Sequence, residues 1–350
     1  MAHRWRVAIM GLGHWYSAWN TARALRDYPG ATLVAVASHD RQALDAFTAA
    51  FGVPGYEDYD QLLAREDVDI VQTAAPVSEL AELAIRAAQA GKHLIIGKPM
   101  AMTIVEADRM VEAVRRAGVV CFPFQGIIRL RLADVKPRLD RGEFGRLILL
   151  HQTCRWSIAE DALGSGRPGW FADPRQVPGG ALIDEGIYWV DAFRWLTGSE
   201  VVEVEARTAN LVHTDIAVED WGMATFTFAN GVIATLEASW TITAPRKSGP
   251  SPKQNSVVRL EIVGTEGELI DQYFRAPGRA VLASGAADWV YERQSELPYA
   301  PAAPFPLAHV IDCLETGRPT AATIEDARAS FVVAMAGYES ARLRRPVSLT

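Results

Sequence analysis

Cysteine is scarce in this chain of 350 residues, which has only Cys121, Cys154 and Cys313. The three thiols are far apart, odd in number and in no Cys-x-x-Cys arrangement. This spacing argues against a disulfide framework and against a thiolate metal site. It is typical of a reducing compartment, so we expect a cytoplasmic protein.

Basic charge and long apolar runs are also lacking. Lys and Arg number 35 against 42 Asp and Glu, which leaves a formal net charge of -7. Such a chain repels a phosphate backbone, so we expect no nucleic-acid partner. No apolar run approaches the roughly 20 residues of a membrane-spanning helix, and the run at 7–12 lacks a signal-peptide cleavage pattern. We therefore expect a soluble protein with no membrane partner.

The length predicts two domains, because domains commonly hold about 100 to 200 residues. Up to residue 123, short β-branched runs alternate with amphipathic segments, which is the pattern of successive βαβ units around a parallel sheet. The predicted strands are 6–10, 32–38, 70–73, 93–96 and 119–123. The predicted helices are 15–27, 42–51, 78–90 and 104–117.

After residue 123 the pattern changes to longer alternating segments, which predict a mainly antiparallel sheet. These strands are predicted at 147–156, 201–212, 224–228, 232–240 and 257–263. Asn230-Gly231 lies between two of them and predicts a tight hairpin. A final helix is predicted at 324–342, and long loops at 164–180, 244–256 and 299–306.

The fold class is therefore α/β in two parts. Residues 1–123 are predicted to form a Rossmann dinucleotide-binding domain. Residues 124–350 are predicted to form an α+β domain for substrate binding and oligomerisation, built on a large, mainly antiparallel open sheet. The helix at 324–342 is expected to pack back on the first domain.

Gly11 and Gly13 lie directly between a predicted strand and a predicted helix. A Rossmann fold needs small residues there, because the backbone turns tightly and its N–H groups approach a pyrophosphate. Tyr16 occupies the third glycine position of the motif, and its bulk is expected to alter the packing of helix against strand. A tight turn without a ligand is the alternative for a bare Gly-x-Gly, but the place at the start of a βαβ series favours nucleotide binding.

The second predicted strand ends in Ser38, followed by His39, Asp40 and Arg41. In NAD-binding folds an acid at this position holds the ribose 2′-hydroxyl. A hydroxyl, an imidazole and a guanidinium accommodate a 2′-phosphate instead, so NADP is favoured over NAD. The alternative is that Asp40 caps the next helix while His39 and Arg41 are solvated.

Two longer motifs carry a family resemblance. The segment AGKHLIIGKP at 90–99 resembles the AGKHVLxEKP signature of the glucose-fructose oxidoreductase, inositol dehydrogenase and MocA (GFO/IDH/MocA) family. The segment GGALIDEGIYWVD at 179–191 is similar to that family's GGGALxDxGxHxxD helix, and Glu219-Asp220, Asn230-Gly231 and YESA at 338–341 also match. The resemblance covers nearly the whole chain and implies a nicotinamide-dependent oxidoreductase acting on a sugar, polyol or related hydroxy or keto compound.

Four positions depart from the family pattern. Gly97 stands where the family has a Glu, Leu80 where it often has a His, and Phe171 where it has an Arg after Trp. Tyr188 occupies the usual His position, as in the glucose-fructose oxidoreductases and dihydrodiol dehydrogenases of the family. These departures bear on the substrate class rather than on the fold.

The resemblance implies that Lys98, Asp184 and Tyr188 are catalytic. Asp184 and Tyr188 are four residues apart and share a helix face, which Asp191 continues. Tyr188 is the expected acid and base in hydride transfer, and a nearby Lys98 charge lowers a tyrosine pKa of about 10. The alternatives are that Asp184 binds the N–H groups at the start of the helix and that Tyr188 is a core aromatic.

The remaining site residues are expected contacts of cofactor and substrate. The cofactor set is Gly11, Gly13, His14, Trp15, Tyr16, Ser38, His39, Arg41, Ala75, Pro76, Gly97, Lys98 and Trp170. The substrate set is Arg155 and Trp156 together with Asp184 and Tyr188. We expect no metal site, because a single close His and carboxylate pair such as His213 and Asp215 cannot complete a tetrahedral site.

Two other functions stay open beside the oxidoreductase. One is a non-catalytic regulator that binds NAD(P) and a sugar, motivated by Gly97 and Phe171. The other is an NAD-dependent glycosidase of the same fold. An open sheet face must be buried or polar, so we also expect a homodimer or homotetramer through the second domain. Ile233, Leu236 and Trp240 lie in a strand expected to contribute to that face.

Overall fold

A computed structural model describes residues 3–158, 169–242, 256–274, 278–292 and 306–349. Of the predicted loops, residues 164–168, 244–255 and 299–305 lie outside the described residues. The chain divides into two compact units. The first comprises the described residues of Met1–Ile127, Arg175–Pro178 and Pro298–Arg328. The second comprises those of Ile128–Pro174, Gly179–Leu297 and Ala329–Thr350.

Strands alternate with helices in the first third of the chain and predominate in the middle. The described strands are β1 (Trp5–Met10), β2 (Ala31–Ala37), β3 (Gly55–Tyr56), β4 (Ile70–Thr73), β5 (His93–Ile96), β6 (Cys121–Pro123), β7 (Leu147–Arg155), β8 (Val201–Ala209), β9 (Trp221–Phe228), β10 (Ile233–Ser239), β11 (Val257–Gly264), β12 (Glu268–Phe274), β13 (Gly278–Leu282), β14 (Val290–Glu292) and β15 (Val347–Ser348). The described helices are α1 (Trp15–Asp27), α2 (Arg41–Phe51), α3 (Tyr59–Leu63), α4 (Val77–Gln89), α5 (Ile104–Ala117), α6 (Ile127–Arg131), α7 (Val135–Asp140), α8 (Ala181–Thr197), α9 (Leu307–Thr316) and α10 (Ile324–Leu343).

The first unit contains a parallel sheet of six described strands in the order β3-β2-β1-β4-β5-β6. This is the strand order of a Rossmann fold, so the predicted fold class is confirmed for this part. The predicted strands and helices are present with ends that differ by two residues or fewer. β4 is buried along its whole length, as expected for a strand covered on both faces.

The second unit contains a mixed, mostly antiparallel sheet, whose described strands run in the order β14-β13-β12-β11-β7-β10-β9-β8-β15. The pair of β7 and β10 is parallel, and the other neighbours are antiparallel. The predicted hairpin is confirmed: Phe228 N–H donates to Val232 O at 3.0 Å, and Gly231 adopts a φ of 85°. A left-handed glycine at the end of a three-residue loop is a common hairpin solution.

Strand β10 lies with one face against α8. Ala234, Leu236 and Ala238 are buried on that face, and Leu236 contacts α8 so closely that a Cβ at Gly186 would lie 2.9 Å from its Cδ2. The expectation that Ile233 and Leu236 share the open face is wrong, because residues three apart in a strand point to opposite faces. Leu236 and Trp240 are each 1% exposed and belong to the core.

The two predicted domain ranges, 1–123 and 124–350, differ from the units of the structure. The described residues of 298–328 belong to the first unit. Their helix α9 packs next to β6, where the rings of His309 and Phe122 meet edge to face at 5.4 Å. This contact joins segments far apart in the chain, so a local sequence pattern does not reveal it.

The predicted final helix is present as α10 and ends one residue later than predicted. Its first residues belong to the first unit. There Glu325 accepts a hydrogen bond from Arg115 at 2.6 Å, and Arg328 donates one to Asp108 at 2.8 Å. Both partners lie in α5. No helix of the described residues is long and apolar enough to span a bilayer.

Candidate functional site

The carboxyl ends of the parallel strands gather most of the predicted cofactor residues at one edge of the first sheet. Strands β2, β1, β4 and β5 are consecutive neighbours. The residues that follow them are Ser38 after β2, Gly11 and Gly13 after β1, Ala75 and Pro76 after β4, and Gly97 and Lys98 after β5. In open parallel sheets a ligand crevice lies outside this edge, where the strand order reverses between β1 and β4.

The glycine turn after β1 packs directly on the turn after β4. Gly11 has a φ of 86°, and a Cβ there would lie 2.6 Å from the Cβ of Ala75. A Cβ at Gly13 would lie 2.7 Å from Cδ of Pro76. The His14 side chain does not cap α1, and the first turn of α1 has no acidic residue. A helix N-terminus of this kind fits a negatively charged group.

Tyr16 does not lie between α1 and the sheet. It is 37% exposed, whereas α1 buries Ala18, Ala22 and Leu25. Next to the turn, Ser17 makes the contact with β4, where its Oγ accepts a hydrogen bond from Gln72 at 3.1 Å. The expectation that the bulk of Tyr16 alters helix packing is therefore wrong, because the helix turns position 16 outward.

Lys98 acts electrostatically on the glycine turn. Its side chain is 9% exposed at the end of β5, and the preceding Gly97 N–H donates to Thr73 Oγ1 at 3.0 Å. Burial, followed by the positive charge of Lys98, lowers the pKa of His14 to about 3. The His14 imidazole is therefore neutral at neutral pH, and Lys98 supplies positive charge beside the turn.

Two of the departures from the family pattern contact each other. A Cβ at Gly97 would lie 3.1 Å from Cδ1 of Leu80, which is 2% exposed. A longer side chain at position 97 therefore requires Leu80 to move. Gly97 and Leu80 are therefore complementary in size where they meet at the end of β5.

The residues after β2 are already engaged with neighbouring polar groups. Ser38 Oγ accepts a hydrogen bond from the N–H of Asp40 at 3.2 Å. Asp40 caps α2 by accepting from its backbone at 3.0 Å, so the alternative reading of Asp40 is confirmed. Arg41 forms an ion pair with Asp45 at 3.0 Å and another with Glu57. Two carboxylates thus pair with the single guanidinium of Arg41 at this end of the crevice.

Two further cofactor candidates contact aromatic neighbours. The His39 ring packs edge to face against Tyr59, with 4.5 Å between ring centroids. Burial, together with the Glu79 charge, raises the pKa of Tyr59. In the second unit Trp170 stacks on Phe171 at 3.7 Å. Phe171, which replaces the family Arg, is 3% exposed.

In the second unit the buried carboxylate of Glu219 holds the start of α8. It accepts hydrogen bonds from the N–H groups of Gly180 at 2.9 Å and Leu182 at 3.0 Å, and from Tyr338 Oη at 2.6 Å. A Cβ at Gly180 would lie 2.0 Å from Glu219 O, and one at Gly179 would lie 2.1 Å from Tyr338 Oη. Burial raises the pKa of Glu219, and the hydrogen bonds oppose that rise.

Helix α8 carries Asp184 in its first turn and Tyr188 one turn later. Asp184 is 8% exposed and Tyr188 is half-buried. Asp191, one turn further, is fully buried and forms a bidentate ion pair with Arg129 at 2.7 and 2.8 Å. Asp191 therefore has a structural partner in Arg129.

Arg155 and Trp156 lie at the end of β7 and make different contacts. Arg155 donates to Glu237 at 3.0 Å on the sheet face opposite α8. Trp156 Nε1 contacts Cys154 Sγ at 2.7 Å, and Cys154 in turn contacts Glu185 of α8 at 3.7 Å. Of the two predicted substrate residues, the structure therefore places Trp156 near the residues that pack on α8 and turns Arg155 away.

The sequence interpretation gave no role to Glu219 and Tyr338, although both lie in segments that match the family. The signal was the pair Gly179-Gly180, because two glycines before a helix indicate a close approach of another group. In the described residues no group of three or more His, Cys, Asp or Glu side chains is arranged to hold a metal ion.

Comparison with known proteins identifies relatives of both units. Residues 5–125 match the oxidoreductase family with an NAD-binding Rossmann fold (GFO/IDH/MocA), and residues 132–270 match the GFO/IDH/MocA C-terminal domain. Scyllo-inositol 2-dehydrogenase (NAD(+)) of Bacillus subtilis (strain 168) is 27% identical over 100% of this chain and 97% of its own length. The dTDP-3,4-didehydro-2,6-dideoxy-alpha-D-glucose 3-reductase of Actinomadura kijaniata is 30% identical over 66% of this chain and 67% of its own length.

The fold is also found in solved structures. Levoglucosan dehydrogenase in complex with NADH and L-sorbose has a TM-score of 0.82 and 23% identity, with 99% of each chain covered. The similarity supports the same arrangement of a parallel and a mixed sheet in this chain.

We predict that Gly11→Ala disrupts both folding and nucleotide binding. The new Cβ collides with Ala75. The left-handed backbone at this position adds a strain of about 1 to 2 kcal/mol. Gly52→Ala is the matched control, because Gly52 has a φ of 68° and no atom lies within 4 Å of a Cβ placed there. Urea unfolding and NADH fluorescence measure the two effects. Equal losses of stability in both variants, with unchanged NADH affinity, would contradict the proposed close approach.

Proposed function

The chain belongs to the GFO/IDH/MocA oxidoreductase family, and on this basis we propose that it is an NAD-dependent dehydrogenase or reductase of a sugar or polyol. The main support is the turn of Gly11 and Gly13, which packs without side chains against Ala75 and Pro76 where the strand order reverses. Relatives named as acting on an inositol and on a nucleotide-linked sugar support the substrate class.

The residues present fit a dinucleotide. The two glycines let the turn pack closely on Ala75 and Pro76, the His14 side chain does not cap α1, and Lys98 adds positive charge beside the turn. A pyrophosphate needs these features. When bound, the nicotinamide ring supplies the hydride acceptor for oxidation and the hydride donor for reduction.

The proposed chemistry assigns proton transfer to Tyr188. Its phenolate takes the hydroxyl proton of the substrate during oxidation, and its phenol returns that proton during reduction. The positive charge of Lys98 stabilises the phenolate, and Asp184 accepts a hydrogen bond from a substrate hydroxyl. The ring of Trp156 packs on the C–H face of the sugar. Arg155 is left out of this proposal, because it pairs with Glu237 on the opposite sheet face.

A substrate screen provides the first test of this function. Purified protein is mixed with NAD and a panel of inositols, other polyols and aldoses, and in the reverse direction with NADH and ketoses. The absorbance of NADH reports turnover. Turnover with one class of sugar or polyol is expected, and binding of NADH without turnover of any compound would favour the regulator.

We predict that Tyr188→Phe lowers kcat about 10²- to 10⁴-fold and leaves NADH affinity nearly unchanged, because only the proton carrier is removed. Lys98→Met should be at least as damaging and should also weaken NADH binding. The double variant should be little worse than the worse single variant, since residues that act together are strongly non-additive. Steady-state kinetics and NADH titration of the three variants measure these effects.

Tyr291→Phe is the control for the tyrosine change, because Tyr291 is 76% exposed in β14. It should retain full activity. Full turnover in Tyr188→Phe would show that Tyr188 is only a packed aromatic. Additive losses in the double variant would show that Lys98 and Tyr188 act separately.

We propose NAD rather than the NADP that Ser38, His39 and Arg41 indicate at first sight. Exposed ion pairs such as those of Arg41 are weak. NAD is therefore favoured by the excess of carboxylates over guanidinium groups rather than by the strength of these pairs. Asp40, Asp45 and Glu57 outnumber the single guanidinium and repel a 2′-phosphate.

We predict that the wild-type protein binds NADH about tenfold or more tightly than NADPH, the size of effect expected from one charge-assisted contact. Replacing Asp45 by Asn together with Glu57 by Gln should raise NADPH affinity and leave NADH affinity unchanged. Fluorescence titration with both nucleotides measures this. Tighter binding of NADPH to the wild type would restore the NADP interpretation.

We propose that the open face of the second sheet forms a homo-oligomer. Leu149, Ile233 and Val263 lie side by side across β7, β10 and β11 on the face opposite α8, and Met223 of β9 is 41% exposed. An apolar row on an open sheet face is normally covered by another surface. A second copy of the chain offers the same row to it.

We predict a dimer or tetramer at micromolar concentration by light scattering. Leu149→Glu should shift the protein toward monomer, because it places a charge in the middle of the apolar row. Glu112→Lys changes the charge at an exposed position of α5 in the first unit and serves as the control. A wild-type monomer at that concentration would refute the proposal.

A further inference from the structure

Gln125 is a buried amide without a protein partner. It lies in the 3-10 turn Phe124–Gly126, immediately after β6, and its exposed fraction is 0%. Among the residues that the structure describes, neither Nε2 nor Oε1 of Gln125 has a hydrogen-bond partner. Buried side-chain amides are normally paired, because an unpaired one loses its hydrogen bonds to water without replacement. The amide of Gln125 therefore has its donor and its acceptor available to a bound group.

The position of Gln125 relates it to Lys98. Strands β5 and β6 are parallel neighbours in which Ile96 pairs with Pro123. Gln125 follows Pro123 by two residues, as Lys98 follows Ile96 by two. Both side chains are therefore attached just beyond the carboxyl ends of adjacent strands, at the edge of the sheet where ligands bind in this type of fold.

The strand order tells which part of a dinucleotide this edge receives. A doubly wound sheet consists of two halves, and each half binds one mononucleotide. Ser38 follows β2, in the half whose second strand contacts the adenosine ribose. The half formed by β4, β5 and β6 therefore receives the nicotinamide nucleotide, and Gln125 belongs to it.

Apolar contacts hold this turn without the amide of Gln125. A Cβ at Gly126 would lie 2.5 Å from the Cβ of Ala322 and 3.1 Å from the Phe122 ring. Phe122 also packs against the ring of His309. The backbone that carries Gln125 is thus fixed by its neighbours, and the amide has no structural hydrogen bond of its own to maintain.

We propose that Gln125 binds the carboxamide of the nicotinamide ring. A glutamine amide offers a donor and an acceptor in one plane, and a primary carboxamide offers the complementary pair. Gln125 Nε2–H donates to the carboxamide oxygen, and Oε1 accepts from the carboxamide nitrogen. This assignment rests on the proposed NAD-dependent function and adds a residue that fixes the orientation of the reacting ring.

The experiment compares NADH with its reduced 3-acetylpyridine analogue, in which a methyl ketone replaces the carboxamide and no N–H remains. Gln125→Met keeps the length of the side chain and removes the amide. Wild type should bind NADH about three- to tenfold more tightly than the analogue, the range expected for one hydrogen bond. In Gln125→Met this ratio should fall close to one, mainly through weaker NADH binding.

A second measurement separates binding from folding. In the absence of nucleotide, Gln125→Met should unfold at the same or a higher urea concentration than wild type, because it removes an unpaired buried amide. Gln72→Met is the matched control: Gln72 is 3% exposed in β4 and donates to Ser17 at 3.1 Å. That variant should be less stable and should keep the wild-type ratio of NADH to analogue affinity.

Three outcomes would overturn the assignment. Equal weakening of NADH and analogue in Gln125→Met would show that Oε1 does not accept a hydrogen bond from the carboxamide nitrogen. A loss of nucleotide-free stability like that of Gln72→Met would show that Gln125 has a structural role. Failure of the wild type to bind either nucleotide would instead overturn the proposed function, and the assignment with it.

Discussion

The buried carboxylate of Glu219 is the interaction on which the second unit depends most. It accepts hydrogen bonds from the N–H groups of Gly180 and Leu182 and from the hydroxyl of Tyr338. The start of α8, the residues just before β9 and helix α10 therefore meet at one carboxylate. A buried charge is tolerated only when it is fully hydrogen-bonded. Gly179 and Gly180 follow from this, because any side chain there collides with the groups around the carboxylate. The position of Asp184 and Tyr188 follows in turn.

In the first unit, glycines likewise allow two segments to pack closely, at the turn after β1. The absence of a Cβ at Gly11 and Gly13 lets the turn after β1 pack against the turn after β4, and the His14 side chain does not cap the start of α1. Lys98 adds positive charge at the same edge, where burial and then this charge lower the pKa of His14. Close backbone approach and one buried cation thus prepare a surface suited to a pyrophosphate and a nicotinamide ring.

Local sequence patterns were sufficient for most of the fold and for part of the site. The βαβ alternation gave the parallel sheet, and Asn-Gly gave the hairpin between β9 and β10. The face of a strand or helix on which a side chain lies, and the residue with which it pairs, were harder to predict. Ile233 and Leu236 were expected on one face although they are three residues apart, and Tyr16 was expected against the sheet although α1 turns it outward. The partner of Arg155 across the sheet, Glu237, was not predicted either.

The sequence by itself determined most of the alternation of strands and helices up to residue 123, the glycine turn and the position of Asp184 and Tyr188 on one helix face, because each depends on residues close together in the chain. The tertiary structure alone decided which polar and charged groups already have a hydrogen-bond or ion-pair partner. Tyr338 reaches Glu219 across 119 residues, Arg41 meets Glu57 across 16, and Gln125 is left without a partner in the described chain. Hydrogen bonds and charges act through space, so their partners are fixed only when distant segments are folded together.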